Sequence, residues 1–131
     1  GATQAMPVRG HGLKFFWWQM LAGDEADNIK GIQTLRGKLC GKRGAYDAIA
    51  PLDSAEEAAE LVVGAYAAIQ QDVLAEAEAL FLRRSEHDSA YSYFMDVLVN
   101  PAYRDWCSSL RDYHTQYLQY IQEQSLYGEE T

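Results

Sequence analysis

Apolar residues recur at spacings of three and four along most of this chain, the period of one face of an α-helix. The clearest run is Ala58, Val62, Ala65, Ile69, Val73, Ala77 and Leu80, in a segment rich in Ala, Glu, Leu and Gln. These are strong helix formers. Asp53, followed three residues later by Glu56, reads as a capping box at its start. The pattern predicts a long central helix over 54–84, about 46 Å at 1.5 Å per residue. That is more than a domain of this size needs, so a kink or break is expected near Gly64 or around Gln70 to Asp72. Leu61 to Ile69 is apolar nearly all round and should be covered on more than one side. Gly64 there would let another backbone come close.

Further on, Ser85 to Asp88 reads as a turn. Asp88 or Ser89 can cap a short helix to about Val99, with Tyr91, Phe94, Met95 and Leu98 on one face. Asn100-Pro101 ends it, because the residue before proline is pushed out of the α region. Pro101 then suits the first turn of a C-terminal helix near 102–127, with Gly128 as its cap. The stripe of that helix is Tyr103, Trp106, Leu110, Tyr113, Tyr117 and Tyr120, a heptad-like seam with Ile121 beside it.

The N-terminal third is less regular. Leu13 to Leu21, with Phe15, Phe16, Trp17 and Trp18, reads as a short buried helix. Asp24 to Leu39 carries Ile29, Ile32, Leu35 and Leu39 at helical spacing, with Gly41 as a stop. Lys42 to Pro51 reads as a loop with a helical turn at Tyr46 to Ile49. The expected fold is therefore all-α, a single-domain bundle of about four to five helices over 6–131. Residues 1–5 precede Met6 and are read as an expression remnant.

Composition fits that picture. The 131 residues are 48% hydrophobic, enough for a globular core. No apolar run approaches the roughly 20 residues of a membrane span, and no signal-peptide pattern is present. Cys40 and Cys107 form neither a C-x-x-C pair nor a zinc spacing, which reads as two reduced thiols in a cytoplasmic protein.

Charge adds an asymmetry. Seven Lys and Arg against three Asp and Glu give residues 1–45 a charge of +4, while four against sixteen give residues 46–131 a charge of −12. The basic part is concentrated in Lys30 to Arg43, which holds Lys30, Arg36, Lys38, Lys42 and Arg43 interleaved with glycines. Beside Trp17 and Trp18 such a segment could touch phosphates and stack bases. Acidic helices within a Debye length would oppose a polyanion there, so an acidic protein surface is the expected partner.

Catalytic motifs are missing. Neither His87 nor His114 stands in a Glu-x-x-His pair, since Arg84 and Arg111 occupy the positions three before them. His87-Asp88 is a bare dipeptide, and His11 between two glycines has no companions. The glycine-lysine pairs Gly37-Lys38 and Gly41-Lys42 miss both the spacing and the hydroxyl of a phosphate loop. No G-x-S-x-G elbow exists. Glu56 with Glu60, and Asp72 with Glu76, are carboxylate pairs of a solvated helix face. No metal or cofactor is expected.

What is left is an unusual supply of large aromatics. Five of nine tyrosines lie in or beside the C-terminal helix, and Tyr and Trp are favoured at interfaces. The sequence therefore reads as a non-enzymatic, self-associating helical interaction module. Its expected contact residues are Phe15, Trp17, Trp18, Arg36, Lys38, Tyr113, Tyr117 and Tyr120. The rival readings are a nucleic-acid-associated protein using residues 30–43, and a helical bundle holding a small ligand in an aromatic pocket.

Overall fold

The computed structural model describes residues 12–81 and 89–130. Six α-helices and no strand are found among them: α1 Gly12–Ala22, α2 Gly41–Ile49, α3 Ala55–Ala68, α4 Val73–Phe81, α5 Ala90–Val97 and α6 Pro101–Glu130. The all-α expectation stands. His11, His87-Asp88 and the turn at 85–88 lie outside the described residues.

α1 is the most deeply buried aromatic element, as its nearly continuous apolar sequence demands. Phe16, Trp17, Trp18, Met20 and Leu21 are all buried, and the helix packs against α2, α3 and α4. Phe16 and Trp17 meet Phe81, Tyr93 and Phe94 in a cluster of edge-on and stacked rings. The polar tip of Trp17 is satisfied inside the core: Nε1–H donates to the Tyr93 hydroxyl at 3.1 Å.

The long helix expected over 54–84 is broken, as its length suggested, at the second of the two expected places. Gly64 does not interrupt it. The break is at Ile69 to Asp72, where Gln70 takes φ +56 and Asp72 restarts the chain by accepting the Ala75 amide at 3.0 Å. Breaking there lets α3 contact α1, α4, α5 and α6 instead of running past them. The cap of α3 is one residue later than expected. Ser54 accepts the Glu57 amide at 3.1 Å, and Glu57 reaches back to the Asp53 amide at 3.1 Å.

Two further corrections concern the N-terminal third. Residues 24–39 are not a helix. Asp24 caps a single 3₁₀ turn at Glu25–Asp27 and pairs with Ile29. The loop then returns across the end of α1, where Gly23 (φ +82) and Gly31 (φ +76) pass so closely that a Cβ on Gly31 would lie 2.5 Å from the Gly23 nitrogen. Ile29 and Ile32 are buried all the same, whereas Leu39 is 88% exposed, so the three-four spacing does not mark a shared face. Gln71 locks the loop to the α3–α4 junction. Its Oε1 accepts the Gln33 amide at 2.8 Å, and its Nε2 donates to the Gly31 carbonyl at 2.9 Å. Conversely, the expected loop over 42–51 is α2. Its two glycines disfavour helix, but Ala45 and Ile49 are completely buried one turn apart, and packing overrides propensity.

The inward face of α5 is rotated from the expected one. Ala90, Tyr93, Phe94 and Val97 are buried, while Tyr91 and Met95 are half-covered. Ser89 caps it through the Ser92 amide at 3.1 Å. Asn100 caps α6 through the Ala102 amide at 2.9 Å, and Arg104 ties the two helices by donating to the carbonyls of Met95 and Leu98 at 2.8 and 2.9 Å. No helix among the described residues is long and apolar enough to cross a membrane.

Candidate interaction surface

The first three turns of α6 belong to the body. Cys107 is fully buried, and Tyr103, Trp106 and Leu110 pack on the core. After Leu110 the helix leaves it. From Arg111 to Ser125 every residue is exposed except His114. Sixteen residues of α6 follow His114, a length of about 24 Å.

His114 ties α6 back to the body. Its Nε2–H donates to Asp72 Oδ2 at 2.6 Å, across the junction of α3 and α4. One turn earlier, Arg111 lies over the Tyr91 ring at 4.4 Å and pairs with Asp112 at 3.1 Å. The Tyr91 hydroxyl meets Ser108 Oγ at 2.9 Å.

Beyond these ties the seam continues without cover. Tyr113, Tyr117, Leu118 and Tyr120 are more than half exposed, and Ile121 is 43% exposed. Tyr113 and Tyr117 stack with ring centroids 6.4 Å apart and planes 10° from parallel. Tyr113 to Gln122 contains no Asp, Glu, Lys or Arg, in a chain of formal charge −8. Solvated helix faces carry charge; depletion of charge with enrichment in Tyr marks the core of an interface. The uncharged run is visible in the sequence, yet the stripe alone does not show it, because half of that stripe is core.

Beside the point of departure lies a groove of about 550 Å³ between α4, the start of α5 and α6. Leu74, Ala75, Tyr91, His114 and Leu118 are among its walls. Its polar groups are already engaged in holding helices together. Glu78 Oε1 accepts the amides of Ala90 and Tyr91 at 2.6 and 3.3 Å, and His114 and Arg111 are paired as described.

The eight residues expected at a contact surface occupy three separate places. Tyr113, Tyr117 and Tyr120 share the projecting helix. Trp17 (0% exposed) and Trp18 (5%) are core, and Phe15, stacked on Trp18, is half-buried. Arg36 and Lys38 are exposed at the tip of a two-residue turn. Arg36 (φ 54) and Gly37 (φ 83) take the left-handed conformations of a type I′ turn, and Leu35 and Lys38 exchange both backbone hydrogen bonds.

Cys107 and Glu76 are among the groups whose titration burial perturbs. Burial, with the Asp72 charge second, pushes the Cys107 thiol up to about 12. Burial also raises the Glu76 carboxyl, and Asp72 adds to the rise, against the lowering effects of the Gly31 backbone and of Lys30. Among the described residues no group of three or more His, Cys, Asp or Glu could hold a metal ion. Comparison of the chain with protein-family models, with curated proteins and with solved structures finds no match.

Proposed function

We propose that this chain is a helical protein–protein interaction module that self-associates through Tyr113 to Gln122 of α6. The observation that carries the reading is the uncharged, tyrosine-rich run on a helix that has left its own body. Two physical arguments support it. A projecting helix has no tertiary packing to stabilise it, and packing supplies most helical stability in proteins; a partner along the seam would provide it. A copy of a chain carrying −8 can approach another most easily where neither presents charge.

An enzymatic reading is less well supported, because the polar residues around the groove are spent on capping and on helix–helix ties. The test is the mass in solution by light scattering or sedimentation at about 100 μM, where association weaker than roughly 5 kcal/mol would escape detection. The intact chain is expected to be a dimer, and Leu118→Glu, an exposed substitution, a folded monomer. A monomeric intact chain overturns the reading.

A further inference from the structure

We propose that a second groove, between the Leu35–Lys38 turn and α2, binds an acidic segment of another protein, anchored by its apolar side chains. This site is separate from the seam on α6 and does not depend on it.

The residues around the groove divide by chemistry. Leu35, Leu39, Cys40 and Ala48 give it apolar walls around a volume of about 400 Å³, and Arg36 and Lys38 stand at its edge. Leu39 is 88% exposed. A single exposed leucine is ordinary on any surface, but this one is set among cations. Lys30 to Arg43 holds five basic residues and no acidic one. Asp47 also borders the groove, and Arg43 already pairs with it at 3.3 Å. Arg36, Lys38 and Lys42 are exposed, and among the described residues their side chains form no ion pair.

Both sides of the groove are held in place. Leu35 and Lys38 close the turn with backbone hydrogen bonds of 2.7 and 3.1 Å. Trp18 Nε1–H donates to the Lys42 carbonyl at 3.3 Å and pins the start of α2. A groove already in shape loses little freedom when it is filled.

The chemistry of the occupant follows from this setting. Single-stranded nucleic acid is bound by stacking bases on aromatic rings beside the phosphates. The two indoles expected in that role, Trp17 and Trp18, are buried. A long polyanion would also extend past the patch towards a chain whose residues 46–131 carry −12. An anionic bilayer meets the same opposing charge, and its flat surface does not fit a concave site. A short protein segment with carboxylates flanking leucine or an aromatic residue fits better. Its carboxylates complement Arg36, Lys38 and Lys42, and its apolar side chain fills the space between Leu39 and Ala48.

The test is fluorescence anisotropy of the full chain with a labelled peptide of glutamates carrying two leucines one helical turn apart. A leucine-free glutamate peptide, a single-stranded oligonucleotide of the same charge and vesicles of phosphatidylserine and phosphatidylcholine are measured alongside. The leucine peptide should bind the parent chain and slow thiol labelling of Cys40, which lines the groove. Its affinity should fall at least about tenfold in Lys38→Glu and about fivefold in Leu39→Ser. Both positions are exposed, and both variants should keep the urea midpoint of the parent. Failure of the leucine peptide to bind overturns the proposal, as does equal affinity for the leucine-free peptide. Tighter binding of the oligonucleotide or the vesicles, lost in Lys38→Glu, assigns the patch to nucleic acid or to membrane and overturns it too. A drop in self-association in Lys38→Glu would make a second copy the occupant and overturn the assignment to another protein.

Discussion

Asp72 divides its carboxylate between two helices. Oδ1 accepts the Ala75 amide and so starts α4, while Oδ2 holds His114 of α6. One side chain thus decides both where the chain turns after α3 and where α6 departs. Asp72→Ala should cost about 1–2 kcal/mol, mostly the lost N-cap. His114→Ala should cost under about 1 kcal/mol, as expected for a partly exposed pair. Urea midpoints of the two variants check the order. Amide exchange at 111–118 should quicken in both, because both release the helix.

Gly64 and Tyr103 are in a similarly exclusive contact. A Cβ on Gly64 would stand 2.6 Å from the Tyr103 hydroxyl oxygen. Alanine is worth about 1 kcal/mol over glycine inside a helix, but the clash works against it. Gly64→Ala should therefore be neutral or destabilising in the parent chain. It should be more favourable by about 1 kcal/mol when Tyr103→Phe removes the oxygen. A double-mutant cycle measures this coupling; strictly additive effects would refute it.

The hydrogen bond from Trp17 to Tyr93 separates core from surface roles for the aromatic cluster. Tyr93→Phe leaves a buried indole N–H without its acceptor and should cost about 1–3 kcal/mol. Trp17→Ala should cost about 3–5 kcal/mol. Neither change should weaken self-association in protein that remains folded. Chemical denaturation and sedimentation, taken together, test both halves of this expectation.

These residues also show how far the sequence could be read. Helical periodicity located α3 to α6, because burial of one face is what selects that spacing; α1 was legible only as a short, nearly continuous apolar run. It failed for residues 24–39, where Ile29 and Ile32 reach the core from a loop held by Gly23, Gly31 and the Gln71 amide. Those are tertiary contacts that no local pattern encodes. It failed in the opposite sense for α2, whose glycines are tolerated because Ala45 and Ile49 are buried. The tyrosine stripe was legible, but not the point near Leu110 where it passes from core to surface. That point is fixed by where the body ends, and therefore by how the other helices pack.

Cys107 makes the stability of the fold sensitive to alkali. Its thiol is fully buried, and burial first and Asp72 second hold its folded value near 12 against an ordinary 9.0. Between these two values the unfolded chain has released the proton and the folded chain has kept it. The folded state thus binds more protons in that window, and stability must fall as pH rises through it, by at most about 1.4 kcal/mol per unit for one group. Below about pH 9 both states are protonated and this contribution is fully present. Tyr66, buried with its hydroxyl on the Met20 carbonyl, is also shifted upward by burial and acts in the same sense at higher pH. The urea midpoint should therefore decline from about pH 9 upward. Cys107→Ala should be less stable at neutral pH, from the cavity, but show a shallower alkaline decline; an unchanged slope would refute the assignment. Thiol labelling gives a second readout. Cys40 is only partly covered and should react in the native protein, while Cys107, buried and protonated, should react only as the domain opens. Its labelling rate then reports the stability of the very helix from which the proposed interface projects.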